Sequence, residues 1–447
     1  MVLPVEEKLV HSIRFSSVGP GRVTGTDVVH HPKPMDLAMK LHYLRGIYYF
    51  SGQATRGLTT KVIKESMFLW LNEYYVTCGR FRRSPDTGRP FMKCNDCGVR
   101  FIEAKCDKTI HEWLEMLKEN CELRKLLVSD QVIGPDLPFS PPLLIQITIF
   151  KCGGFALSLN WAHILGDALS VVDFINRWAQ IISGLPANGL KQLHVSDRSS
   201  TAQKTPTKAN QEPVSLIPVE PVGDMWTYSS KCKMGTFALH LTLPHLKHLR
   251  SKFFGHVKPE KVPLFESICA IFWRWIADVK EGEPQVVTIC KGDPSKRAIR
   301  SISNSQKISA VRADFSVKGS DPHELLCLLV DRATWENAQI EEVVERDYGV
   351  SDFIIYGGNL TFVDIGEADL YGIELKEHKP LFADYTIEGL GDEGVIVILP
   401  APNDPKSSGD HDTGGMIVTM TLPESLLSKL KVVLMNNGML QYDSIFS

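Results

Sequence analysis

Between Ile145 and Trp161, apolar and polar residues alternate with a period of two. Ile145, Ile147 and Ile149 fall on one face, with Gln146 and Thr148 on the other. After Gly153-Gly154, Phe155, Leu157, Leu159 and Trp161 alternate with Ala156, Ser158 and Asn160. Successive side chains of a strand point to opposite faces, so each run reads as a strand. The glycine pair permits a tight turn, and the whole segment predicts a β-hairpin that delivers His163 at its end. From Ala168 the period changes to 3.6. Leu169, Val172, Ile175, Trp178 and Ile182 follow helical spacing, and Gly184 is a natural stop.

The same reading extends along the chain. Helical patterns cover Lys61 to Leu71 and Leu264 to Val279, where Phe265, Ile268, Phe272, Trp275, Ile276 and Val279 make an apolar stripe. A last helix is predicted from Glu424 to Leu434. Strands are predicted at Phe237 to Leu243, Val395 to Leu399 and Met416 to Leu422. This mixture implies an α/β protein. At 447 residues the chain exceeds what one hydrophobic core usually serves. Residues 1–187 and 223–447 read as two domains. Between them, residues 188–222 are rich in Ser, Thr, Pro, Lys and Gln and read as a surface crossover.

A net charge of −3 gives no general attraction to nucleic acid. Arg80, Arg82 and Arg83 form a local basic cluster, read as a solvated face. The start of the chain lacks the pattern of a secretory signal, and no run of about 18 apolar residues suggests a membrane span. The expectation is a protein made in the cytosol and facing it, and its ten cysteines are expected to be reduced. The glycosylation-like Asn359-Leu-Thr361 then carries no meaning.

His163-Ile-Leu-Gly-Asp167 is the strongest chemical candidate. A histidine mounted at a strand end, just before a helix, has the rigid support that general-base work needs. The pattern also fits a structural core histidine. Asp167 stands where a carboxylate caps exposed backbone N–H groups, and capping is the preferred reading. Gly389-Leu-Gly-Asp-Glu-Gly394 matches a dinucleotide fingerprint by letter, but a strand follows it where a helix is needed, so it reads as a β-turn. Cys94 and Cys97 have zinc-like spacing without a second ligand pair and read as a turn. Asp410-His411-Asp412 reads as solvated. No metal site is expected, and neither a GxSxG elbow nor a phosphate-binding P-loop is present.

These residues, taken in order, resemble the plant BAHD acyltransferase superfamily over nearly the whole chain. Besides His163 and Asp167, the matching stretches are Gln146 to Gly154, Tyr75 to Arg80, Cys94 to Ala104, and Phe265, Glu266, Ala270 and Trp273. The resemblance implies two chloramphenicol-acetyltransferase-like domains with a channel at their interface. In the family the histidine deprotonates an acceptor hydroxyl or amine that attacks an acyl-CoA thioester, and the aspartate supports the loop. Acyl-CoA is thus the implied substrate or ligand, with no permanently bound cofactor.

Two family segments depart from the pattern. The DFGWGKP signature matches Glu374-Leu-Lys-Glu-His-Lys-Pro380, which keeps only Lys379 and Pro380. The Tyr-Phe-Gly-Asn segment is replaced by polar sequence at Ser301 to Arg312. This combination resembles the eceriferum (glossy) wax branch, as do Pro34 to Tyr43, Lys231 to Gly235, Tyr356 to Phe362 and Asp384 to Ile387. The branch implies a role in very-long-chain fatty acid elongation beside a ketoacyl-CoA synthase, on the cytosolic face of the endoplasmic reticulum. Attachment would be peripheral, through that partner; a cytoplasmic location is the alternative. The expectation is a non-catalytic modulator, the alternative an acyltransferase with His163 as base.

Overall fold

The computed structural model describes residues 8–184, 212–255, 262–293, 302–402 and 415–440. Two large mixed sheets organise the chain. The first has six strands in the order Val10–Val18, Val99–Cys106, Leu143–Phe150, Phe155–Ala162, Tyr43–Phe50 and Phe382–Glu388. The second has seven, ordered Met234–Leu241, Met416–Pro423, Val395–Pro400, Leu360–Asp364, Val286–Lys291, Lys307–Arg312 and Thr334–Trp335. The α/β class is as the sequence implies. One strand crosses over: Phe382–Glu388 comes from the second half of the chain yet pairs antiparallel with Tyr43–Phe50.

The hairpin forms as its periodicity predicts. Ile149 pairs with Phe155, and Gly153 takes a φ of 82°, which side chains rarely adopt. All eight residues of Phe155–Ala162 are buried. Both faces of that strand are covered, and small or hydrogen-bonding residues fill its second face. Two helices pack together beside it, Thr60–Glu73 and Ala168–Ile182. Trp70 stacks on Phe174 at 3.9 Å, Trp178 Nε1 donates to Ser66 Oγ, and Arg177 holds Glu73 through two bonds of 2.7 Å.

The continuous apolar run of Val395–Pro400 has a similar cause. Val395, Val397 and Leu399 belong to one hydrophobic core, and Ile396 and Ile398 to another. A strand buried on both faces loses its polar alternation. Leu264–Val279 fills the second core as its stripe predicts, and Glu424–Asn436 joins it through Leu426, Leu427, Leu430 and Leu434. The described end of the crossover is not a free surface segment. Leu216 and Ser215 are buried, and Ile217–Pro218 pairs with Phe353–Ile354.

Candidate functional site

His163 leaves the strand Phe155–Ala162 in a short 3₁₀ turn, His163–Leu165. Its backbone N–H donates to His42 O at 2.9 Å. Gly166 is required by crowding: a Cβ there would lie 2.9 Å from Ser170 Cβ and 3.0 Å from Ser303 N. Asp167 then caps the helix Ala168–Ile182, its Oδ1 accepting from Ser170 N at 3.0 Å. The other oxygen faces the second half of the chain. Oδ2 accepts from Ser305 N at 2.8 Å and from Ser305 Oγ at 2.9 Å. Asp167 therefore joins two distant segments, a task beyond capping.

The imidazole of His163 is 0% exposed. Its Nε2 lies 2.9 Å from the Tyr356 hydroxyl, which in turn donates to Gln306 Oε1 at 2.9 Å. Asn304 closes the remaining side. Its Nδ2 donates to His163 O at 2.8 Å and to Asp36 Oδ1 at 3.0 Å, and its backbone N–H reaches the same Asp36 oxygen. His42 stands edge-on to the Tyr356 ring at 4.8 Å and accepts from Ile355 N through Nε2. Burial holds His163 neutral, with its pKa lowered to about 4 against opposing pulls from its own carbonyl, Asp167 and Asn304. Burial, and then His163, lowers His42 to about 3. Burial raises the Asp36 carboxyl to about 6 despite its hydrogen bonds.

A neutral imidazole is the form a general base requires. In this arrangement, though, the position a substrate proton would take against Nε2 is held by a phenol of the chain itself. Among the described residues no three His, Cys, Asp or Glu side chains gather as a metal site.

This geometry, a histidine at a strand end with its aspartate on the following helix, can be set beside known proteins. The Transferase family profile matches residues 35–291, more than half of the chain. Protein ECERIFERUM 26 of Arabidopsis thaliana is 38% identical, covering 96% of this chain and 96% of its own. The chain belongs to the BAHD transferase family, in its eceriferum branch. Protein ECERIFERUM 2 of the same plant is 35% identical over 96% of this chain and 98% of its own length. Vinorine synthase has the same fold, with a TM-score of 0.65 at 18% identity, covering 96% of this chain and 98% of its own.

Against the BAHD pattern, the two divergent segments behave differently. Ser301 lies outside the described residues, but Ile302 to Gln306 run directly over the His163–Asp167 turn. Within this stretch Asn304 reaches the turn through its bond to His163 O, and it also bonds Asp36 Oδ1. In Glu374 to Pro380, Lys376 to Lys379 are exposed, while Leu375 and Pro380 are buried. The segment is not a loose loop. Leu375 and His378 exchange backbone hydrogen bonds of 3.0 Å, Leu375 is 1% exposed, and Lys376 Nζ donates to Arg56 O.

Other sequence candidates also find their places. The Gly389–Gly394 turn leads from one strand into another, and no helix follows it. Cys94 and Cys97 lie in the loop before Val99–Cys106, one buried and one exposed. Asp410, His411 and Asp412 lie outside the described residues. The arginine cluster differs from expectation. Arg80 is buried, its Nη1 donating to Gly79 O at 2.7 Å, and Arg83 Nε pairs with Asp224 at 2.7 Å. These guanidiniums tie loops together; they do not form a solvated face. Tyr356, Gln306, Asn304, His42 and Asp36 complete the site, and spacing along the sequence did not connect them to His163.

Proposed function

We propose that this BAHD-type chain promotes very-long-chain fatty acid elongation for cuticular wax by modulating a ketoacyl-CoA synthase, and that it does not itself transfer acyl groups. Its eceriferum relatives support the wax-related part. One observation carries the non-catalytic part: His163 is fully enclosed, with Nε2 held by the Tyr356 hydroxyl. A base must come within hydrogen-bond reach of the proton it removes, and an internal side chain fills that reach here. The rebuilt signature supports the same reading, since Lys376 and Glu377 stand where the family has glycine and tryptophan. Acyl-CoA enters as a ligand or as the partner's substrate. The alternative, an acyl-CoA-dependent transferase, is favoured by the neutral state in which burial keeps His163.

Co-expression in yeast with a ketoacyl-CoA synthase tests the reading. The chain should lengthen the fatty acids made, and His163→Ala should keep most of that effect. Removing a true general base costs roughly 10²-fold or more, and a loss of that size in a folded variant would sink the non-catalytic reading. No helix among the described residues is long and apolar enough to cross a membrane. Under this reading the partner recruits the chain to the cytosolic face of the endoplasmic reticulum. On fractionation the chain should sediment with microsomes only when the synthase is present, and equal soluble recovery with and without it argues against recruitment.

A further inference from the structure

We propose that Tyr356, held from behind by Gln306, is a built-in occupant of the acceptor-hydroxyl position against His163, so that the chain keeps its own histidine idle. The inference rests on the non-catalytic reading above and names the residue that enforces it. The phenol oxygen lies 2.9 Å from His163 Nε2, the separation at which a base takes a proton from an acceptor. A phenol has one proton to donate. It goes to Gln306 Oε1, leaving Nε2 to supply the ring proton to the phenol oxygen. In that state Nε2 has no lone pair for an acceptor. Were the Gln306 amide reversed, the phenol would donate to Nε2 and occupy that lone pair instead. Either way Nε2 is satisfied within the chain.

The occupant is firmly mounted. Tyr356 is 1% exposed and Gln306 5%. The Tyr356 ring packs against His42 at 4.8 Å and His163 at 5.4 Å. Its carbonyl accepts from Gly391 N at 3.0 Å, and the next residue, Gly357, donates to Thr361 Oγ1 at 3.1 Å. Gln306 is fixed in turn, its carbonyl accepting from Asn337 Nδ2 at 2.8 Å. Burial pushes the phenol pKa well above its ordinary value, so Tyr356 is a poor nucleophile and stands in for an acceptor without reacting as one.

The full chain is treated with diethyl pyrocarbonate at pH 6, and ethoxycarbonylation of His163 is followed by peptide mass spectrometry. The reagent attacks neutral imidazole, which His163 is at that pH, so slow labelling reports enclosure and not charge. The exposed His111 is the internal reference. In the native chain His163 should label at least about tenfold more slowly than His111, since attack awaits a local opening. Tyr356→Ala should bring His163 toward the rate of His111. Added p-cresol, which has the shape of the missing side chain, should restore protection by filling the space left. Tyr356→Phe keeps the ring and the packing, and should shift the ¹⁵N resonance of His163 Nε2 through loss of the hydroxyl alone.

Labelling of native His163 at the rate of His111 would overturn the proposal. So would an unchanged resonance in Tyr356→Phe, a measurement that stands even where Tyr356→Ala does not fold. The yeast assay reads the other claim separately. Loss of chain lengthening in His163→Ala, with His163 protected in the native chain, overturns the non-catalytic reading alone. A freely labelled His163 beside a fully effective His163→Ala overturns only the occupancy.

Discussion

His163 and Asp167 were legible at the residue scale because they sit together, where a change of period marks the end of a strand and the start of a helix. The residues that decide what His163 can do lie elsewhere in the chain. Asn304 and Tyr356 reach it from 141 and 193 positions away, a juxtaposition that only the fold creates. Arg80 was misread for a related reason. A guanidinium carries enough donors to be satisfied by backbone carbonyls, so clustered charge does not guarantee exposure. The buried titratable groups make a prediction. Burial lowers His42 to about 3 and His163 to about 4, against an ordinary 6.5, and His30 likewise to about 4. At these three histidines, below pH 6.5, the unfolded chain therefore binds more protons than the folded one. The stability these groups contribute is complete above pH 6.5 and is lost as pH falls toward 4 and 3. For His42 and His163 the loss between pH 8 and pH 5 is about 2 kcal/mol each. Asp36 acts in the opposite sense: burial raises its carboxyl from 3.8 to about 6, and its protonation in the folded state offsets about 1 kcal/mol of that loss on acidification. Asp364, also raised by burial, acts in the same sense as Asp36, and the balance of the three histidines against these two carboxyls is destabilising. Thermal denaturation at pH 7.5 and pH 5 should show a clear fall in Tm, and a shallower one in His163→Gln, which cannot titrate. Equal pH profiles for the two proteins would refute this account.

Element by element, periodicity located the hairpin, the helix Leu264–Val279 and the run at Val395. It could not say that the hairpin's second strand is covered on both faces, because alanine, serine and asparagine look the same whether they face water or a neighbouring layer. The Glu374–Pro380 segment shows what charge patterning conveys and what it misses. Its charged side chains do lie outside, but its backbone is a two-residue turn with Lys376 at a φ of 52° and Glu377 at 64°. Residues with a Cβ adopt that conformation at a cost of roughly 1–2 kcal/mol each. Such turns favour glycine or asparagine, and the family has a glycine at the place of Lys376. Lys376→Gly should therefore stabilise the protein by about 1 kcal/mol. Leu375, buried at the place of the family's phenylalanine, anchors the turn, and Leu375→Ala should cost about 2–5 kcal/mol. Alanine at Lys376, Glu377 and His378 together, which leaves the anchor, should stay within about 0.5 kcal/mol per surface change. Chemical denaturation measures all three. A triple variant as damaging as Leu375→Ala would show that the charged side chains, not the anchor, hold the turn.

Across the whole molecule, the two halves are joined by more than a connecting segment. Lys40 is 0% exposed, paired with Asp352 at 3.0 Å, and donates to the carbonyls of Gly349, Val350 and Ser351. Asp36, His163 and Asp167 of the first half all take hydrogen bonds from Asn304 or Ser305 of the second. Most telling is the strand Phe382–Glu388, whose seven residues pair with Tyr43–Phe50 and complete the first sheet. Within that strand Asp384 makes a buried ion pair with Arg124 at 2.7 Å. Cutting the chain after residue 222 removes all of this at once. It leaves Tyr43–Phe50 with an unpaired edge, Arg124 and Lys40 without their ion-pair partners, and apolar faces uncovered. The apolar surface so exposed loses its burial free energy, about 25 cal/mol per Å², against a total stability of only about 5–15 kcal/mol for an ordinary domain. An exposed apolar strand edge also invites aggregation. Residues 1–222 expressed alone should therefore be insoluble or lack cooperative unfolding, and co-expression of residues 223–447 should recover a soluble complex. The intact chain should melt in a single transition, with both halves unfolding together. A soluble, cooperatively folding 1–222 fragment would mean that the shared strand and the buried ion pairs are dispensable to the first sheet.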